Sequence, residues 1–409
     1  MKIHLTGPKN QLLKETFKIT GSKSESNRSL LLSALYPGIQ ILNLSNSDDA
    51  QVMEAGLKRT EGTVDIHHAG TAMRFLTGYF SAMEGSDVIL TGSKRMTERP
   101  VQILVDALKE LGADISYVKE EGYPPLHIKG KKLSKHKVSL PANVSSQYIS
   151  SLLLIAPSLE NGLELELTGK ITSVPYIKMT LALLTEIGVE SSFQGNSITV
   201  KPKTEVKPTT LVVESDWSSA SYFYSIVALS DEGSQITLSA YKKNSLQGDS
   251  VLHKLYGEFG VETEFGENQI TLKKVSEPTK ATVSFDLANA PDIAQTIAVT
   301  CFGLRMGCYL TGLHTLKIKE TDRLDALHTE LTKLGADISV SDKTLTLKPA
   351  KNINSEIAID TYNDHRMAMA FAPLALKTSL IINEAMVVTK SYPDFYEDLK
   401  ALQFGIKEL

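Results

Sequence analysis

An amphipathic segment ending in a large apolar residue and then glycine recurs five times along this chain. The copies are Lys109-Glu110-Leu111-Gly112, Thr185-Glu186-Ile187-Gly188, Gly257-Glu258-Phe259-Gly260, Thr332-Lys333-Leu334-Gly335 and Leu402-Gln403-Phe404-Gly405. Their glycines are spaced by 76, 72, 75 and 70 residues. Each glycine is expected just past a helix, where a left-handed backbone ends it at little steric cost. Alternating residues follow four of these stops, at Leu126-His127-Ile128, 197–200, 269–272 and 344–347, and predict strands in hairpins. The period is too long for a solenoid and suits a compact β/α unit packed against its copies. A sixth copy would fall near residues 40–65, where the stretch 48–62 has room for the helix and the hairpin is missing. The class is therefore α+β, with one repeat shortened and a helix layer inside each domain.

A chain of 409 residues exceeds one ordinary core, so two domains are expected. A crossover is placed near residue 214, after the lysine- and proline-bearing turn at 201–208. The formal charge of −4 lacks the basic excess of a nucleic-acid binder, while local clusters leave small anions open. No apolar run approaches the ~18 residues of a membrane span, and Met1 to Leu5 lacks the apolar core of a signal peptide. The two cysteines, Cys301 and Cys308, offer no disulfide framework and are expected as buried thiols on one helix face. A reducing cytoplasm fits these features. Adjacent His67 and His68 would point to opposite faces of a strand. The remaining histidines show no ligand pattern, so no metal is expected.

Chemistry-bearing residues collect at element ends. Thr20 to Arg28 holds a glycine for a tight turn, Lys23 and Arg28, and serines ahead of a helix-like run. Backbone N–H groups at a helix start, a lysine point charge and an arginine fork suit a phosphate. It is not a P-loop, because Thr16 and Ser22 stand where that motif needs glycine and lysine. Alone, it reads equally as a capped helix with solvated charges. His68 to Arg74 offers Gly70 before a helix with Thr71 as a possible cap. Arg95-Met96-Thr97-Glu98-Arg99-Pro100 is either a cationic loop or a ligand clamp, and Asn143 to Tyr148 either caps a helix or holds a phosphate or hydroxyl. Asp216 and Asp292 precede apolar helices, where the dipole favours a carboxylate. Lys317 to Arg323 and Tyr362 to Ala370 are the densest polar stretches, and Thr389 to Asp394 is the last. Many cations, several hydroxyls and few acid–base carboxylates describe a site for two small polyanions.

Together these stretches resemble the 5-enolpyruvylshikimate-3-phosphate synthase family of enolpyruvyl transferases over nearly the whole chain. Lys319-Glu320-Thr321-Asp322-Arg323 and Asn363-Asp364-His365-Arg366-Met367-Ala368-Met369 carry the resemblance most specifically. It implies a two-domain inverse α/β prism built from six βαβαββ-type repeats, three per domain. Residues 1–20 and 214–409 would form one lobe and 21–213 the other, closing on ligand. The implied reaction joins the enolpyruvyl group of phosphoenolpyruvate to the 5-hydroxyl of shikimate 3-phosphate and releases phosphate. By motif, Lys23, Gly70, Arg95, Gln147, Arg323, Arg366 and Lys390 would bind phosphoenolpyruvate. Ser24, Arg28, Ser145, Ser146, Gln147, Ser173, Tyr176, Asp292 and Lys319 would bind shikimate 3-phosphate. Asp292 and Glu320 would share the proton transfers, with Lys23 a candidate acid. The resemblance implies a monomer acting on these small molecules, without cofactor, nucleic acid or membrane. His67-His68 and Thr315 depart from the family pattern at two substrate-facing positions. The sister transferase using UDP-N-acetylglucosamine carries a reactive cysteine in the loop matching 95–100, and this loop has none. A non-catalytic phosphometabolite-binding protein would not need Asp292, Glu320 and Lys23.

Overall fold

The computed structural model describes residues 1–141, 145–169, 171 and 174–409. They divide into two compact units, Met1–Thr20 with Glu214–Leu409, and Gly21–Val213.

In the unit Gly21–Val213, strand Glu61–Asp65 pairs parallel with Asp87–Thr91, which pairs antiparallel with Leu126–Lys129, and that with Asp114–Tyr117. Lys137–Pro141, Leu163–Thr168, Ser197–Val200 and Ser191–Gln194 repeat the same pattern. A third sheet has two strands only, Ile39–Leu42 parallel to Thr209–Val212. The strands have one dry face. Leu163, Leu165 and Leu167 are buried, while Glu164, Glu166 and Thr168 between them are exposed. Helix Gly70–Ala82 is buried from Gly70 to Ser81, and helix Ser146–Ile155 nearly throughout. A helix without a wet face must lie inside, under sheets that each keep one. Complete burial of a side chain such as Phe75 or Leu152 stabilises by about 1.5–3 kcal/mol.

The other unit holds three four-stranded sheets of that pattern. One runs Lys14–Phe17, Gln235–Ser239, Gln269–Lys274, Val261–Gly266, and another Thr282–Asp286, Gly307–Thr311, Leu345–Leu347, Ile338–Val340. In the third, Ile357–Ile359 and Leu380–Ile382 are completed by Ile3–Thr6 and Gly405–Glu408, from opposite ends of the chain. Helices Trp217–Leu229, Ala294–Gly303 and His365–Phe371 are buried on every side. Their small polar residues satisfy one another: Ser221 meets Thr296 at 3.0 Å, and Thr300 donates to Ser225 at 2.8 Å.

Gly112, Gly188, Gly260 and Gly335 are left-handed, with φ of 107°, 78°, 75° and 99°. Gly405 is not. Gln403 makes that turn with φ of 64°, and Gly405 opens a strand. The one-face placement of the cysteines also fails. The helix with Cys301 ends at Gly303, Arg305 turns left-handed, and Cys308 lies in the strand Gly307–Thr311, although both thiols are buried. His67 and His68 follow a strand rather than sit in one, and His67 takes φ of 49°. Thr71 does not cap its helix; Ala69 holds the cap position.

Candidate active site

In the unit Gly21–Val213, four helices begin level with one another. Gln147 Nε2 donates to Thr71 Oγ1 at 3.0 Å, and Ser151 Oγ to the Arg74 carbonyl at 2.7 Å. These contacts advance in step, so helices Gly70–Ala82 and Ser146–Ile155 run parallel. Arg28 Nε donates to Thr180 Oγ1 at 2.8 Å and Nη2 to Ser150 Oγ at 2.9 Å. That ties helices Lys23–Leu35 and Val174–Glu186 into the array at a similar depth. The first turns therefore hold Lys23, Ser24, Gly70, Ser146, Gln147 and Tyr176 at one end, where unpaired N–H groups and aligned dipoles favour an anion. Ser145 caps its helix by accepting from the Gln147 N–H at 3.3 Å.

Lys23 Nζ lies 3.3 Å from Asp49 Oδ2. Arg28 is buried beneath the helix starts, with its guanidinium over the rings of Phe75 and Tyr176 at 5.3 and 5.9 Å. Nη1 donates to the Ser24 carbonyl at 2.7 Å, so all three bonds go to neutral oxygens. Burial pushes its pKa down to about 10, which leaves it charged at neutral pH. Arg95 is half-exposed on a short helix, 3.5 Å from Glu98. A Cβ on Gly70 would come within 2.6 Å of the Arg99 guanidinium, so only glycine lets that arginine lie against the helix start. Ser173 lies outside the described residues, as do Asn143, Val144 and Thr172.

In the other unit the cluster centres on Arg323. Its Nε donates to Asp364 at 2.7 Å, Nη1 to Asp292 at 2.8 Å and Nη2 to Glu320 at 2.9 Å. Asp292 also faces Lys319 at 3.3 Å and Arg366 at 3.4 Å. Asp364 caps the helix His365–Phe371, accepting from the Arg366 N–H at 2.9 Å. Lys390 Nζ donates to the carbonyl and side-chain oxygens of Asn363 at 2.6 and 2.7 Å. Burial raises the cost of charge on Asp292, yet Lys319, Arg366 and Arg323 hold it well below the usual carboxylate range. Asp249 shows the opposite balance. Burial and then Asp292 push it up to about 7, with Ser218 its hydrogen-bond donor. Thr315 Oγ1 is buried and has no partner among the described residues.

Thus Asp292, Lys319, Glu320, Arg323 and Arg366 meet in one network, with Lys390 on the adjoining Asn363, while Arg95 pairs with Glu98 on a stretch that Arg74 and Tyr148 bind at the Pro100 carbonyl. The sequence reading missed Asp49, Asp249 and Asp364. Asp49 and Asp364 look like ordinary helix-start carboxylates, and Asp249 follows a glycine in a polar turn.

The model of the EPSP synthase (3-phosphoshikimate 1-carboxyvinyltransferase) family matches residues 57–399. The chain belongs to that family. It is 46% identical over 413 residues to the 3-phosphoshikimate 1-carboxyvinyltransferase of Bacteroides fragilis strain YCH46, covering 100% of this chain and 99% of that protein. The protein of that description from Shewanella pealeana is 37% identical over 95% of this chain and 96% of its own. A solved EPSP synthase structure from Acinetobacter baumannii shares the fold with a TM-score of 0.82 at 22% identity, covering 100% of both chains. Among the described residues, no helix is long and apolar enough to cross a membrane.

Proposed function

We propose that this protein transfers the enolpyruvyl group of phosphoenolpyruvate to the 5-hydroxyl of shikimate 3-phosphate, as its family membership and relatives' names support. The observation that carries the reading is Asp292, a buried carboxylate set among Lys319, Arg323 and Arg366. The hydroxyl oxygen adds to C2 of phosphoenolpyruvate while its proton passes to Asp292, and an acid protonates C3 to a methyl group. The adduct then expels phosphate from C2 as a methyl proton leaves, restoring the double bond. Glu320 shares these transfers, and Lys23 is a further acid.

A carboxylate held so low is a poor acceptor. The substrates' anionic groups draw the three cations off Asp292, which then rises toward a useful range. Lys23, Gly70, Arg95, Gln147, Arg323, Arg366 and Lys390 are proposed to bind phosphoenolpyruvate. Ser24, Arg28, Ser145, Ser146, Gln147, Ser173, Tyr176, Asp292 and Lys319 bind shikimate 3-phosphate. The sheets are read as six copies of one βαβαββ-type unit arranged as an inverse α/β prism, the two-stranded sheet being the copy without its hairpin. The reading carries with it a cytoplasmic monomer that needs no cofactor.

The test is phosphate release from phosphoenolpyruvate by the purified chain. Release is expected only when shikimate 3-phosphate is present. Tight binding of both ligands without release, or release with UDP-N-acetylglucosamine instead, would sink the proposal.

A further inference from the structure

Glu330 is a fully enclosed carboxylate two turns beyond Arg323 on the helix Arg323–Lys333, and the chemistry above does not use it. An enclosed charge persists only where it is paired and hydrogen-bonded. Lys333 Nζ donates to both its oxygens at 2.9 Å. Its remaining donors come from another segment: the Tyr362 hydroxyl at 2.6 Å and the Asp360 N–H at 3.2 Å. Lys333 also reaches Asp360 Oδ2 at 2.9 Å. Partial burial and the neighbouring carboxylate push the Tyr362 hydroxyl up, so it stays a donor at neutral pH.

The segment so gripped is strained. Tyr362 and Asn363 are consecutive left-handed residues, with φ of 53° and 57°, and neither is glycine. Such backbone persists where its surroundings over-determine it. The groups that follow depend on it. Asn363 receives both bonds from Lys390, and Asp364 holds Arg323 and caps the helix that carries Arg366. One helix thus fixes both ends of the segment: Arg323 takes Asp364, and Glu330 takes Asp360 and Tyr362.

We propose that Glu330 is a positioning residue, which sets where Lys390, Arg366 and Arg323 present their charges by holding the left-handed Tyr362–Asn363 pair. This rests on the transferase reading above. The test compares Glu330→Leu, Glu330→Gln and Tyr362→Phe, well below each variant's unfolding temperature. The readouts are kcat and the KM for phosphoenolpyruvate in shikimate 3-phosphate-dependent phosphate release, with amide hydrogen exchange over residues 360–366. Tyr362→Phe is expected to raise that KM about tenfold and Glu330→Leu about 100-fold, with smaller changes in kcat and faster exchange. Glu330→Gln, whose amide oxygen still accepts from Tyr362, recovers most of the loss. Lower melting temperatures with wild-type KM values in all three variants would overturn the proposal, because Glu330 would then be structural only. If Glu330→Leu does not fold, the other two variants decide by the same criterion. A wild-type chain that releases no phosphate would sink the transferase reading alone; unchanged exchange at 360–366 in Tyr362→Phe, and in Glu330→Leu where it folds, would then overturn the positioning claim.

Discussion

Arg28 and Arg323 are both buried arginines bonded through Nε, Nη1 and Nη2, one in each unit, but their partners differ in kind. Arg28 bonds two hydroxyls and a carbonyl and lies over two aromatic rings. Arg323 bonds three carboxylates. Burial lowers the pKa of Arg28, while for Arg323 the opposing pull of Asp364, Glu320 and Asp292 wins and raises it. Neutral hydrogen-bond partners leave Arg28 with positive charge beneath a row of helix starts, where the pull of Tyr176 and Glu25 does not outweigh burial, and that charge with the aligned dipoles attracts anions. Carboxylate partners cancel the charge and fix the carboxylates in place, as proton transfer requires. On the proposed function, one unit mainly holds and the other mainly reacts.

The largest effect should separate the two arginines by stability. Arg323→Met strands the buried Asp364 and takes a partner from the part-buried Asp292 and Glu320, and is expected to cost about 3–5 kcal/mol. Arg28→Met leaves neutral hydrogen-bond partners, among which Thr180 still donates to Ser150 at 3.0 Å, and takes from Glu25 a charge that it does not hydrogen-bond, so about 1–2 kcal/mol is expected. Denaturant unfolding of both variants measures the gap. Equal losses would break the comparison.

Next come the residues proposed to face substrate. Asp292→Asn should cut kcat about 1,000-fold, the scale of a lost general base. Lys23→Ala removes one charge-assisted contact and should raise the KM for phosphoenolpyruvate about 10–100-fold. Its stability should hardly change, because the helix dipole still favours Asp49 in the first turn of its helix. Steady-state kinetics on folded variants check both, and a kcat defect in Lys23→Ala as large as that of Asp292→Asn would erase the division between holding and reacting.

Little of this contrast is visible in the chain itself. Arg28 and Arg323 each stand in a short run of polar residues, and nothing local distinguishes them. Their partners lie 122 and 152 residues away for Arg28, and 31 and 41 for Asp292 and Asp364 with Arg323. Local signals were readable: Gly112, Gly188, Gly260 and Gly335 end helices as their pattern predicts, and the motifs around Lys319 and Asn363 identified the family. Gly405 misled because the preceding Gln403 can also turn left-handed at modest cost. The split between Cys301 and Cys308 was overlooked because apolar residues continue through both helix and strand, although Gly303, Arg305 and Gly307 mark the break. Strand Ile3–Thr6 finds its partners at 380–382 and 405–408, pairings that no short-range pattern encodes. Asp49 and Glu330 acquire roles only through packing.

The last contrast lies inside the unit of Arg323, where Asp249 and Asp292 test whether cations decide a carboxylate's state. Asp249 has Ser218 as its donor and is pushed up to about 7, so between pH ~4 and 7 the folded chain keeps a proton that the unfolded chain has lost. Stability then falls as pH rises through that window, by at most about 1.4 kcal/mol per pH unit, and levels off above it. Asp292 acts in the other direction. Its depressed pKa contributes stability that is present above about pH 4 and lost only in more acid solution, as pH falls through the folded value. Between pH 5 and 8 Asp249→Asn should therefore abolish the wild-type decline, while Asp292→Asn, which removes the second of the two pushes on Asp249 and leaves its burial, should only narrow it. Unfolding midpoints across that range provide the measurement. A decline that persists unchanged in Asp249→Asn would mean that the carboxylate is already ionised at pH 5, and that Arg366 holds it as it holds Asp292.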